Sequence, residues 1–230
     1  MLTLVLAETE LELVPEEIRS HPQVRRPLQG KDKRASRTLL DASLHHEALK
    51  YVHDGERRGR PDLPHLFMVL GLDSIANKRN ELKLLVHTRH DELITIAPDT
   101  RIMRNYPRFV GLMEQLFQFR EVPRDLALLK IEEGWTLERV LAEKTTGPRI
   151  ALSEEGRKVR PIQYFAERKA ANPDLVCVLG GFPKGNFRSP VSRLVDETIS
   201  IYPDPLSVWI VQYEILSAWE DACGFLTPPA

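Results

Sequence analysis

Cysteine is scarce in this chain. Its two thiols, Cys177 and Cys223, stand far apart in 230 residues, which excludes a disulfide-stapled scaffold and points to a reducing, cytosolic setting. Long apolar runs are missing too, and no stretch approaches the roughly 20 residues that a membrane-spanning helix needs. The opening MLTLVLAETELELVP is apolar only briefly and then alternates. With no basic leader and no small-residue cleavage site, it reads as a first strand rather than a signal peptide. There is no excess of charge: 32 Lys and Arg against 33 Asp and Glu give a formal net charge of −1. The chain is therefore no nonspecific polycation, and any nucleic-acid binding has to come from local clustering of arginine. Motifs of familiar chemistry are equally thin. No Gly-x-Ser-x-Gly elbow supports acyl transfer. The glycine-rich stretch near residue 180 has neither dinucleotide-fingerprint spacing nor a following Gly-Lys-Ser/Thr. His87 and His90 lack a third and fourth ligand at recognisable spacing, so they read as strand-end histidines and not as a metal centre. His45 and His46 sit in helical material and require no function.

The apolar patterning that remains describes an alternation of strands and helices. Leu2–Leu6 fits a buried strand. Pro15, Glu16 and Glu17 open a short helix, and residues 21–37, basic and broken by Pro and Gly, read as a mobile or irregular connection. Asp41 caps a helix through Leu49 and Tyr51. After a charged loop at 53–62, residues 63–72 are almost continuously apolar. Leu82–His87 and Leu93–Ile96 predict paired strands. A helix around Arg108 follows, then a strand at 126–131 and a helix at 136–143 capped by Thr136. Strands at 149–152 and 176–179 bracket a helix near 162–169. A strand at 198–201 leads to a long helix over 205–225. This order predicts an α/β fold with a mainly parallel sheet flanked by helices. Cys177, inside an apolar run, reads as a buried core thiol.

Three regions carry functional signal. Arg101, Arg104 and Arg108 fall three and four residues apart, which on a helix or a segment leading into one sets three guanidiniums along one face. Phe109, Leu112, Met113, Leu116 and Phe117 form a separate apolar stripe. Arginine forks suit phosphate, although a solvated outer face is the commoner meaning of such a row. In LVCVLGGFPKGNF the apolar run ends in Gly180 and Gly181, with Gly185 beyond. Glycines at the carboxyl end of a buried strand either admit a ligand to the backbone or simply make a tight turn. In the third region, TISIY runs into YPDP and then into an apolar helix that suits a core or a subunit interface.

These stretches together resemble a known family. RPDLPH at 60–65, TRI..N..RF.GLM.QL at 100–116, LGGFPKG at 179–185 and SIYPDPLS at 200–207 are similar to the pseudouridine-N1 methyltransferases of small-subunit ribosome biogenesis, members of the SPOUT superfamily. The resemblance implies one SPOUT-like methyltransferase domain over 1–230, with a family-specific insertion containing the paired strands around 82–97. It also implies a carboxyl-terminal trefoil knot that binds S-adenosylmethionine, a homodimer, and a cytoplasmic enzyme that acts on small-subunit ribosomal RNA, with preribosomal proteins as further partners and no membrane. By the same resemblance Arg60, Arg101, Arg104 and Arg108 contact rRNA and Asp62 supports Arg60. Gly180 and Gly185 hold the cofactor with Ile201, Tyr202, Pro203, Asp204, Pro205 and Leu206, and Thr146 borders that pocket. No side chain announces itself as a general base. A non-catalytic RNA-binding assembly factor is the alternative: the arginines serve both readings, but only the enzyme needs the glycine loop. Arg57 and Arg58 read either as ordinary solvated loop residues or, beside Arg60, as an extension of the RNA surface.

Overall fold

Every residue of Leu2–Thr9 (β1) is buried, as expected of a strand covered on both faces. Its side chains alternate between two cores. Leu2, Leu4 and Leu6 join one cluster, and Val5 and Ala7 the other. Leu175–Gly180 (β7) follows the same rule, with Leu175, Cys177 and Leu179 on the first side and Val176 and Val178 on the second. The chain is described here by a computed structural model covering residues 1–29 and 34–226.

β1 lies between β7 and Leu82–Thr88 (β2), parallel to both. Beyond β2, Glu92–Ile96 (β3), Leu129–Glu133 (β5) and Glu121–Val122 (β4) add antiparallel pairings. Beyond β7, Arg149–Lys158 (β6) and Glu197–Ser200 (β8) are parallel. The eight-stranded order is β4-β5-β3-β2-β1-β7-β6-β8. The chain thus passes from β6 to β7 on one side and returns to β8 on the other, so the loops after β7 and β8 leave the same edge on either side of β6.

Helices cover both faces. Asp62–Asp73 (α3), Ile75–Lys78 (α4), Tyr106–Phe119 (α5), Pro161–Ala171 (α7) and Val208–Ala222 (α9) pack on the first core through Phe67, Ala76, Phe109, Phe165 and Trp219. Leu137–Lys144 (α6) and Val191–Leu194 (α8) pack on the second. Pro22–Arg25 (α1) and Ala42–Leu49 (α2) enclose a small satellite core of Val14, Ile18, Val24, Leu40, Ala48 and Leu49. Among the described residues no helix is long and apolar enough to cross a membrane.

Several local expectations need correcting. The stretch 21–37 is not wholly irregular. His21 Nδ1 accepts the Gln23 N–H and starts α1, and 3₁₀ turns follow at Arg26–Leu28 and Ala35–Arg37; residues 30–33 lie outside the described residues. The strand expected at 126–131 begins only at Leu129, after a turn that Ala127 makes at φ 48°. The last helix starts at Val208 rather than at 205, because Ser207 is still extended. Residues 63–72 are the helix α3.

Candidate functional site

The sequence places Gly180, Gly181 and Gly185 where β7 releases the chain, and the structure makes a cleft between that loop and the one after β8. It has a volume of about 320 Å³. Leu152, Leu179, Ile199, Val208 and Val211 supply apolar walls, and the loops at 180–187 and 200–206 form the rim. Gly180, Gly185, Ile201, Tyr202, Asp204, Pro205 and Leu206 all line it; Pro203 does not. Thr146 lies elsewhere. It precedes β6, and its hydroxyl donates to Asp174 just ahead of β7, so it sits at the amino edge of the sheet, a strand's length from the cleft.

The middle of β6 completes the wall in a way its sequence does not announce. Both Leu152 and Arg157 register against Ile199, so residues 153–156 bulge out of the ladder and bring Ser153 and Glu154 to the cleft. Gly156 makes the bulge possible, since a Cβ there would lie 2.5 Å from the Ile199 carbonyl carbon. Gly185 has φ +78°, a conformation open to glycine at little cost. Gly180 is constrained differently: a Cβ would stand 2.6 Å from Cζ of Phe182. What the missing side chain admits here is the Phe182 ring, which packs edge-on to Phe187 at 5.2 Å.

The loop at 53–60 is fastened onto this glycine loop. The Arg57 guanidinium covers Phe182, 3.8 Å from the ring centroid, and its Nη1 donates to the Asn186 carbonyl at 2.7 Å. Lys184 pairs with Glu56 at 2.7 Å, and Arg188 with Asp54 at 2.9 Å. Beneath them three glutamates stand at alternate positions, one near the end of β1 and two just beyond it. Glu8 accepts the backbone N–H groups of Arg188 and Ser189, each at 2.7 Å. Glu10 takes Arg57, Arg89 and Arg188. Glu12 takes both arms of Arg58 at 2.8 and 2.6 Å, and His90 at 3.0 Å. Burial raises the Glu12 carboxyl, but the Arg58 and His90 hydrogen bonds and the Arg58 and Arg89 charges outweigh it and bring the pKa to about 2. Arg57 and Arg58 are therefore not solvated loop residues. Both point inward, and Arg57 holds the rim of the cleft.

With fold and cleft in view, comparison with known proteins is decisive. The family described as EMG1/NEP1 methyltransferase matches residues 4–220. The chain belongs to that family. Relatives named ribosomal RNA small subunit methyltransferase Nep1 include one from Thermococcus kodakarensis, 45% identical over 97% of this chain and 100% of the relative. Another, from Methanothrix thermoacetophila, is 44% identical over 96% of each chain. A crystal structure of Archaeoglobus fulgidus Nep1 bound to S-adenosylhomocysteine superposes with a TM-score of 0.84 and 31% identity, covering 96% of this chain and 98% of that one.

In this EMG1/NEP1 chain the other candidate residues gather around the start of α5. Arg60 donates Nε and Nη2 to the two Asp62 oxygens at 2.8 and 2.7 Å. This hydrogen bond raises the Arg60 pKa against the opposing effect of burial. Asp62 is the first residue of α3 and makes no side-chain cap, so its carboxylate serves the arginine. His65, one turn on, stacks on Phe109 at 4.4 Å and donates Nε2–H to the Met103 carbonyl at 2.8 Å. Tyr106 donates to Asp41 at 2.6 Å. These contacts fix the 103–109 segment against α2 and α3. Arg101 and Arg104 lie in the stretch ahead of α5 and only Arg108 is helical, in the turn capped by Asn105. The three do not share one helix face; they run along the approach to a helix amino terminus, where the dipole favours anions. Arg104 meets Asp73 at 2.9 Å with both side chains exposed. Arg101 and Arg108 have no side-chain partner among the described residues.

Sequence reasoning missed Glu8, Glu10, Phe182 and Gly156. One signal was available: three alternating glutamates at and just beyond the end of a buried strand have no solvent to face unless cations come to them.

Proposed function

We propose that this chain is an S-adenosylmethionine-dependent methyltransferase that methylates N1 of a pseudouridine in small-subunit ribosomal RNA, during biogenesis of that subunit. The observation that carries this reading is the cleft at the carboxyl ends of β7 and β8, rimmed by Gly180, Gly185 and the 201–206 loop, in a chain whose solved relative holds S-adenosylhomocysteine. The cleft suits such a ligand. Apolar walls with a few polar groups are what a cofactor site requires, and two loops offer backbone donors and acceptors at the rim. Glu154 and Asp204 supply carboxylates for the cationic parts of the cofactor. When bound, that cofactor supplies an activated methyl group, transferred to N1 as the N1 proton leaves to solvent. The protein's share is then alignment and exclusion of water. Arg57 and Phe182 hold the glycine loop, and Arg60, with Asp62 orienting it, joins Arg101, Arg104 and Arg108 in holding rRNA phosphates.

The same reading includes a carboxyl-terminal trefoil knot, a single domain with an insertion around 82–97, a cytoplasmic setting and contacts with preribosomal proteins. It also includes a homodimer, which the exposed Ile210 and Tyr213 of α9 support. A non-catalytic assembly factor would use the arginines equally but would have no use for the cleft. Calorimetric titration with S-adenosylmethionine separates the two. Saturable one-site binding is expected, with affinity lost at least tenfold in Gly180→Val, where the new side chain displaces Phe182. Absence of binding by the parent protein overturns the enzyme reading.

A further inference from the structure

The segment from Arg19 to Arg37 carries five arginines, two lysines and one aspartate, in a chain whose net charge is −1. Methyl transfer at the cleft gives this segment no role. Arg19, Arg25, Arg26 and Arg34 line one surface concavity of about 660 Å³, with no carboxylate in its wall among the described residues. Arg19 donates Nε–H to the Val14 carbonyl at 3.2 Å, while Arg25, Arg26, Arg34 and Arg37 meet no side-chain partner among the described residues. Elsewhere Arg57, Arg58, Arg89, Arg120, Arg139, Arg157, Arg168 and Arg188 each face a carboxylate, and the arginines around this concavity share their lack of one with Arg101 and Arg108 of the row ahead of α5. A solubilising surface mixes signs. Guanidiniums of one sign around a shared depression repel one another, and an anionic ligand removes that cost.

The concavity is firmly mounted. Gln23 Oε1 accepts the Glu47 and Ala48 N–H groups at 2.9 and 3.4 Å, tying α1 to the end of α2, and Val24 is buried in the satellite core. The His21 ring lies 5.7 Å from that of Tyr51, which is 72% exposed. His21 sits between two residues of the concavity wall, Ser20 and Pro22, and an open aromatic face near arginines that meet no side-chain partner among the described residues is what a single strand needs, with phosphates on the forks and a base on the ring. The turn Ala35–Arg37 packs on α5, the helix whose first turn carries Arg108. The wall of the concavity therefore rests on the same helix that carries Arg108.

We propose that this concavity is a second RNA-binding surface, taking phosphates of single-stranded rRNA that flanks the target nucleotide, with Tyr51 as a stacking platform. This rests on the rRNA methyltransferase reading. The test uses two probes: a hairpin with pseudouridine in its loop, and the same hairpin extended by about ten single-stranded nucleotides on each side. Affinity is measured by anisotropy as a function of salt. The parent should bind the extended RNA more tightly and with the steeper slope. The triple substitution Arg25→Gln, Arg26→Gln, Arg34→Gln should cut that slope by about 2, at roughly 0.7 for each phosphate left without its arginine, and weaken the extended RNA about tenfold, leaving the hairpin unchanged. Replacing the same three by Lys should restore most of the slope, and S-adenosylmethionine titration confirms that each variant is folded. Equal binding of both RNAs by the parent, or an unchanged slope in the Gln variant, overturns the second RNA-binding surface alone, and an acidic protein then becomes the better partner for this concavity. Failure of the parent to bind either RNA overturns the methyltransferase reading and this one with it.

Discussion

Arginine does opposite work in two parts of this molecule. Around the end of β1, Arg57, Arg58 and Arg89 are almost wholly buried and each is gripped by Glu8, Glu10 or Glu12. Around the start of α5, Arg101 and Arg108 are exposed and unpartnered among the described residues, and Arg104 has only an exposed aspartate. The inner set cannot greet a ligand without abandoning a buried carboxylate, so it sets geometry. It ties the 53–60 loop, which ends at Arg60, to the glycine loop of the cleft. The outer set gives up little beyond its hydration and one exposed pairing. Pairing, and not residue type, divides scaffold from binding surface.

The largest expected effect breaks the inner set. Glu10→Ala leaves Arg57, Arg89 and Arg188 without a carboxylate they share, and removing one partner from buried pairs costs about 3–5 kcal/mol. Urea unfolding measures it, with a fall of at least ~3 kcal/mol expected. A change below about 1 kcal/mol would show that the cluster is hydrated and does not act as a strut.

Acid should break the same set through Glu12. Its folded pKa is depressed from 4.5 to about 2, so the unfolded chain takes up the proton first. The stabilisation is complete above about pH 4.5 and is lost as pH falls toward 2, on the order of 3 kcal/mol in all. Glu12→Gln should flatten that part of the stability–pH curve, and a parent-like curve in the variant would assign the acid sensitivity to another group.

How much of this was legible follows from the range of the interactions. β1, β2 and β7 are readable because they are buried on both faces, and α5 because its apolar stripe repeats at 3.6 residues. The glycine loop and the 201–206 loop are readable because motif order marks them and the ends of adjacent parallel strands bring them together. The apolar run at 63–72 was ambiguous, since a helix with little polar face gives no periodicity. Arg57 was misread because its partners stand 47 and 49 residues away in sequence, and an Arg-Arg pair in a polar loop looks the same whether it faces water or a glutamate. The bulge in β6 depends on Ile199, more than 40 positions on, and nothing local encodes it.

A smaller effect belongs to Arg60, which stands between the two sets: half-buried, paired, yet beside the outer surface. Asp62→Asn keeps the shape but removes the charge that holds the fork. RNA affinity should fall about fivefold, the ~1 kcal/mol of a partly exposed bidentate pair, with the single-turnover rate at saturating RNA within a fewfold of the parent. A rate that falls by orders of magnitude with RNA binding intact would make Asp62 a catalytic group instead.

The smallest effect sharpens the comparison most. Among the described residues Arg104 is the one outer arginine with a side-chain partner, and both side chains of that pair are exposed. Exposed pairs are worth about 0–1 kcal/mol, so Asp73 competes weakly with a phosphate for the same fork. Replacing Arg101, Arg104 or Arg108 singly by Ala should lower the salt slope of RNA binding by roughly 0.7 each. Asp73→Asn should work the other way, raising affinity by no more than about fivefold. The gain should vanish in the Arg104→Ala background, because it acts through that guanidinium alone. A gain that survives there would place Asp73 in the general field of the surface, and a loss of affinity would mean that the carboxylate positions Arg104 as Asp62 positions Arg60.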